Sequence, residues 1–172
     1  MSTIGFDTSN YTTSTAWTDG KTDINVRQIL YVKDGERGIR QSDGVFQHMK
    51  LMPVMYEKLS EQIDFKDVKA VGVSTRPRCV EGSYMPVFLA GEGYAKVVAN
   101  TLGVPLYEFS HQDGHIMAGI YSSGSFELLE NDFISVHLSG GTTEILKSRY
   151  NGFNFDNEII GGSKDISAGQ FI

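Results

Sequence analysis

The chain has little of what several protein classes require. One cysteine, Cys79, stands in 172 residues, so no internal disulfide can form and a reducing compartment is expected. Basic charge is in deficit: 15 Lys and Arg face 21 Asp and Glu, for a net charge of -6. Tight binding of nucleic acid by the chain alone needs a surplus of Lys and Arg to neutralise phosphates. Any RNA contact is therefore left to a partner or a local patch. No run approaches ~18 apolar residues, and the N-terminus lacks the basic-then-apolar pattern of a signal segment. These absences predict a cytoplasmic protein with no membrane partner. Internal repeats and low-complexity stretches are also missing.

What is present is ordinary globular material, 40% apolar and 21% charged, long enough for one domain with a sizeable core. Ser2–Asp7, Thr12–Thr18 and Ile24–Val32 are apolar or rich in β-branched and aromatic residues. Turn-forming stretches separate them, which predicts an antiparallel meander. A helix is expected over Ser42–Gln62, with Phe46, Met49, Leu59 and Ile63 on its apolar face and Pro53 kinking or splitting it. Val68–Ser74 reads as a buried strand and Pro86–Leu102 as a helix with proline at its start. Pro105–Glu108 follows as a short strand and Ser110–Tyr121 as a helix. Phe133–Leu138, Thr143–Lys147 and Asn157–Ile160 complete the strands, and a last helix is expected to open at Gly161-Gly162-Ser163. Three antiparallel strands followed by alternating strands and helices make an α/β layer with a mixed sheet. That is the layout of one ribonuclease-H-like lobe of the sugar kinase, chaperone and actin superfamily. The segment Ser163–Ile172 reads as a helix cut short. Residues 1–172 are thus expected to be a single lobe, with a second lobe beyond them.

Five short segments carry candidate chemistry. Asp7-Thr8-Ser9 ends the first strand. An acidic residue and two hydroxyls there can orient a magnesium-bound water and a phosphate, or can form a turn in which Asp7 bonds its own backbone. Ser139-Gly140-Gly141-Thr142 can clamp a phosphate with backbone N–H groups, or be a tight hairpin. His111 and His115 lie four residues apart, on one face of the expected helix, so both imidazoles can reach one metal ion. Packed helix residues would show the same spacing. Gly114 tilts the balance, because glycine inside a helix costs ~1 kcal/mol against alanine and usually has a reason. Gln112 stands where a zinc protease needs Glu, and two histidines leave a metal short of a ligand. His48 is expected on a helix surface, and His137 reads as structural. The loop Arg76-Pro77-Arg78-Cys79-Val80-Glu81 either grips an anion or is held by its own ion pairs. Asp165 can accept from a ribose hydroxyl, or favour a helix dipole.

Taken in order, Gly5-Phe6-Asp7-Thr8-Ser9, His111-x-x-Gly-His115, Leu138-Ser139-Gly140-Gly141 and Gly161-Gly162-Ser163-x-Asp165 resemble the catalytic-subunit family of threonylcarbamoyl-adenosine synthase, once called O-sialoglycoprotein endopeptidase. The resemblance implies that His111 and His115 bind iron or zinc, with a carboxylate of a second lobe completing the site. It implies that Ser139, Gly140, Gly141, Thr142 and Asp165 lie in a site for ATP or an acyl-adenylate, with Asp7 and magnesium nearby. The implied reaction is attack by the amino nitrogen of a tRNA adenosine on a carbamoyl carbon, with release of AMP. Implied partners are a paralogous subunit or a second copy, and tRNA in the full protein.

The chain also departs from that pattern. A second acidic pair is replaced by Tyr11 and Thr12, a usual His by Thr142, and a glycine-rich loop by Arg76-Pro77-Arg78. The departures describe a divergent paralogue, with the isolated lobe expected to be inactive. A non-catalytic partner subunit and a small-molecule phosphotransferase are the competing readings.

Overall fold

The computed structural model describes residues 1–36, 38–138 and 143–167. Among them the chain forms two compact units, residues 1–111 and 112–172.

The first unit is built on β1 (Ser2–Asp7), β2 (Thr12–Thr18), β3 (Asp23–Ile29), β4 (Val68–Arg76) and β5 (Leu106–Ser110). Their order is β3-β2-β1-β4-β5. β1–β2 and β2–β3 pair antiparallel, while β1–β4 and β4–β5 pair parallel. The mixed sheet is therefore the expected one. Its parallel half comes from two crossovers, each carrying a helix as parallel connections must. These are α1 (Gln41–Ser60) and α2 (Phe88–Leu102). Ile4, Phe6, Val71 and Val73 of the sheet close over Met52 and Leu59 of α1 and Ala95 and Ala99 of α2. Strand alternation puts Asp7 on the face opposite Ile4 and Phe6. Gly103 ends α2 in the left-handed region (φ 67°), donating to the carbonyls of Ala99 and Asn100.

Two expectations for α1 are corrected. Its buried stripe is Gly44, His48, Met52, Met55 and Leu59, whereas Phe46 and Met49 are exposed. Gly44 admits the neighbouring chain closely, since an added Cβ would sit 2.9 Å from Val87 Cγ1. This close approach turns the 44/48/52 face inward instead of the Phe46 face. His48 is thereby fully buried rather than on the surface.

Pro53 does not split the helix. Proline lacks the N–H that would bond the carbonyl four residues back, which here is Met49 O. The Tyr94 hydroxyl of α2 donates to that carbonyl at 2.9 Å. Tyr94→Phe is expected to cost about 1 kcal/mol in urea denaturation. In a Pro53→Ala background the cost should vanish, because residue 53 then supplies its own N–H. Equal costs in both backgrounds would refute the compensation.

The second unit holds most of α3 (His111–Ser123) and an antiparallel meander of β6 (Phe133–Leu138), β7 (Thr143–Tyr150) and β8 (Phe155–Gly162). Ile120, Leu146 and Phe155 are buried, and Phe133 meets Phe155 edge-on at 6.0 Å. The order β6-β7-β8 repeats the antiparallel connectivity of β1-β2-β3, a likeness of topology that the residue pattern does not reveal. The expected helix start at Gly161-Gly162-Ser163 is also corrected, while residues 168–172, over which that helix was expected to continue, lie outside the described residues. Gly161 and Gly162 belong to β8, and residues 163–167 are not helical. The β7 edge draws the glycines into pairing, with Glu144 opposite Gly162 and Ile145 opposite Gly161. An added Cβ on Gly162 would lie 2.7 Å from the Thr143 carbonyl.

Candidate functional site

β1, β4 and β5 run parallel, so their carboxyl ends share one edge of the sheet, the usual place for a ligand crevice in open α/β sheets. Asp7 ends β1, Arg76 ends β4 and Ser110 ends β5. His111 opens α3 directly after β5, with no intervening loop.

Asp7 and His111 lie 104 residues apart in sequence and meet at 2.9 Å between Oδ2 and Nδ1. The other oxygen, Oδ1, accepts the Ser9 N–H at 2.8 Å. The turn reading of Asp7-Thr8-Ser9 is therefore right for one oxygen, while the second is engaged in a side-chain pair. Burial raises the Asp7 pKa, but hydrogen bonds from His111, Ser74 and Ser9 and the charge of His111 outweigh it and hold the carboxyl at about 2. Asp7 is thus a carboxylate at neutral pH and can only accept. The His111 proton then sits on Nδ1, which puts the lone pair of the neutral ring on Nε2. Phe88 packs against the imidazole at 6.2 Å between ring centres.

The next residue is equally constrained. Thr8 is fully buried. Its Oγ1 donates to Val87 O at 2.8 Å and accepts from Gly91 N–H at 3.0 Å. One hydroxyl ties the β1–β2 turn to the first turn of α2. The absent side chain of Gly91 makes room for it, because a Cβ there would lie 2.8 Å from Thr8 Oγ1. Beneath the same turn, Thr13 Oγ1 and His48 Nδ1 are 2.7 Å apart.

The carboxylate–imidazole arrangement fits metal ligation through Nε2. Metal-binding histidines commonly give their other ring N–H to a carboxylate that fixes tautomer and orientation. His115 follows one turn later on α3 and is exposed. Its ring lies 5.5 Å from that of His137. Among the described residues no group of three or more His, Cys, Asp or Glu is placed to hold an ion. Two imidazoles would then need a further ligand.

Asp113, between the histidines, is structural: it is buried, and its Oδ1 accepts the Phe155 N–H at 3.3 Å. Asp165 lies exposed in a bend of the second unit. Ser139, Gly140, Gly141 and Thr142 lie outside the described residues. Sequence reasoning missed Ser74, and it missed Asp7 as the partner of His111. The signal for both was that three parallel strands must end at one edge.

A family model described as tRNA N6-adenosine threonylcarbamoyltransferase matches residues 35–171. The chain belongs to that family. A threonylcarbamoyltransferase of Christiangramia forsetii is 32% identical over 122 residues, covering 70% of this chain and 33% of the relative. One from Pyrobaculum calidifontis is 27% identical over 172 residues, covering 98% of this chain and 46% of the relative. The chain thus spans a third to a half of the length of these curated family members. YeaZ from Pseudomonas aeruginosa shares the fold, with a TM-score of 0.56 at 11% identity over 95% of this chain and 68% of that one. The chain has the expected α/β architecture with a mixed sheet. No helix among its described residues is long and apolar enough to cross a membrane.

Proposed function

We propose that this chain supplies the N-terminal lobe of a metal-dependent threonylcarbamoyl transferase of tRNA adenosine, acting in the cytoplasm. His111 and His115 hold iron or zinc, with a further ligand from outside the lobe. Asp7, the turn at Ser139, Gly140, Gly141 and Thr142, and Asp165 serve a site for ATP or an acyl-adenylate with magnesium. By itself the lobe is inactive, since a cleft open to water weakens each contact. The observation that carries this reading is the hydrogen bond from His111 Nδ1 to Asp7 Oδ2, at 2.9 Å.

When bound, the metal supplies a Lewis acid or a template for the substrate. The chain's own residues do the positioning. Asp7 holds the His111 proton at Nδ1 and so directs Nε2 outward. Phe88 limits the tilt of the ring. Thr8, through Val87 O and Gly91 N–H, keeps Asp7 at the strand end.

The test is metal content by elemental mass spectrometry on the full chain, purified without chelator. About one iron or zinc per chain is expected, lost in His111→Ala. Asp7→Asn should weaken metal affinity by about 10- to 100-fold, the usual effect of removing such an orienting carboxylate. Unchanged metal in His111→Ala would overturn the ligand assignment. A second reading, a non-catalytic subunit that pairs with a catalytic paralogue or with its own copy, is favoured by Tyr11 and Thr12, which stand where the family resemblance implies acidic residues. A metal-free protein that co-purifies with the catalytic paralogue would support it.

A further inference from the structure

Arg76 is a half-buried cation with no carboxylate partner among the described residues. Its Nη1 donates to Thr75 Oγ1 at 3.2 Å, and its Nη2 reaches Cys79 Sγ at 3.7 Å. These contacts engage two of five N–H donors. Glu81, in the same loop, is exposed and forms no ion pair with Arg76. Three other cations do find carboxylates: Lys96 pairs with Glu92, and both Lys147 and Arg149 with Asp132.

The position of Arg76 gives this its meaning. The β4–β5 register slips between Ser74 and Arg76, and the slip sets Arg76 opposite Ser110, the residue before His111. Ser74, two residues earlier on β4, bonds the Asp7 carboxyl. Arg76 therefore stands at the end of β4, on the carboxyl edge shared by three parallel strands and opposite the residue that leads into His111. Withdrawing part of a charge from water without a counter-charge is costly. An arriving anion would repay that cost. Thr75 and Cys79 already orient the planar fork that suits bidentate binding of an oxyanion.

We propose that Arg76 is an oxyanion-binding residue of this crevice, taking a phosphate or a carboxylate group of the substrate. It stands where the family resemblance implies a glycine-rich loop, so it marks a substrate-recognition contact particular to this chain. The proposal deepens the reading of the strand ends as a substrate site and does not depend on the metal.

The experiment is isothermal titration of the full chain with AMP, inorganic phosphate, N-carbamoylthreonine and adenosine as separate probes. AMP and phosphate test the phosphate source, N-carbamoylthreonine the carboxylate source, and adenosine is the uncharged control. At least one anionic probe should bind, and Arg76→Ala should weaken it by about 10- to 100-fold, as for loss of a charge-assisted hydrogen bond. Adenosine binding should be unchanged, and Arg76→Lys should fall between, because a point charge replaces a fork. Should Arg76→Ala misfold, the same anion should shift the Arg76 Nε–H resonance of the unaltered protein. Anion binding equal in Arg76→Ala and wild type, or no anionic probe moving that resonance, overturns the proposal. Loss of metal from His111→Ala with anion binding kept separates this result from the metal assignment.

Discussion

Acidification from pH 6.5 to pH 4 is expected to cost this protein roughly 3 kcal/mol through His48 alone. The side chain is fully buried between α1 and β2, and no partner meets its Nε2 among the described residues. Burial pushes its pKa down from 6.5 to about 4, against the upward pull of the Asp7 charge. At neutral pH the imidazole is uncharged in both the folded and the unfolded chain, so it costs nothing. Below pH 6.5 the unfolded chain takes up a proton that the folded chain refuses until about pH 4. Stability therefore falls by about 1.4 kcal/mol per pH unit across that window, and the fall from this group ends near pH 4. Urea denaturation at half-unit pH steps reads the slope. His48→Leu removes the titrating group, so its slope between pH 6.5 and 4 should be shallower by that amount. Parallel curves for wild type and variant would show that His48 is not the group responsible.

Thr8→Val should destabilise the first unit by roughly 2–4 kcal/mol, with little change in volume. Valine keeps the shape of threonine and removes the hydroxyl. The Gly91 N–H then loses its acceptor and Val87 O loses a donor, both in a buried place. A buried polar group left unpaired costs about 1–3 kcal/mol. Val87 O keeps the Ala90 N–H at 3.3 Å, which places the sum below twice the upper figure. Chemical denaturation measures the loss. Thr8→Ser preserves the hydroxyl and should recover most of it, apart from the methyl group. If Val and Ser were equally destabilised, packing rather than hydrogen bonding would hold the turn. Because Thr8 follows Asp7, a Val variant that still folds should also bind metal less tightly.

Much of the first sheet was legible without coordinates. β1 to β3 alternate strongly enough, with turn residues between them, that their order could be read by pattern. The alternation of strands and helices that follows required parallel crossovers. Pattern failed where a choice depended on a neighbour. Phe46 and Met49 are the more apolar residues of α1, yet the helix buries Gly44 and His48, because Val87 needs the space at Gly44. A count of hydrophobicity cannot see that contact. Pro53 looked like a break, but the hydroxyl that replaces its missing N–H belongs to Tyr94, on another helix. Gly161 and Gly162 resembled a helix start, and pairing with β7 made them strand.

The candidate site divides in the same way. Family membership and the His111/His115 spacing were local facts, set by residue type and by the helical repeat, and the chain carries them however it folds. The pairing of Asp7 with His111 belongs to tertiary structure, as do the link of Ser74 to Asp7, the clamp of Thr8 on Gly91 and the place of Arg76 beside Ser110. Each joins residues from separate strands, and strand register sets which of them meet. Register is decided by core burial summed over a whole sheet. No short stretch of sequence contains that sum, so the contacts that tune charge at the site had to come from the fold.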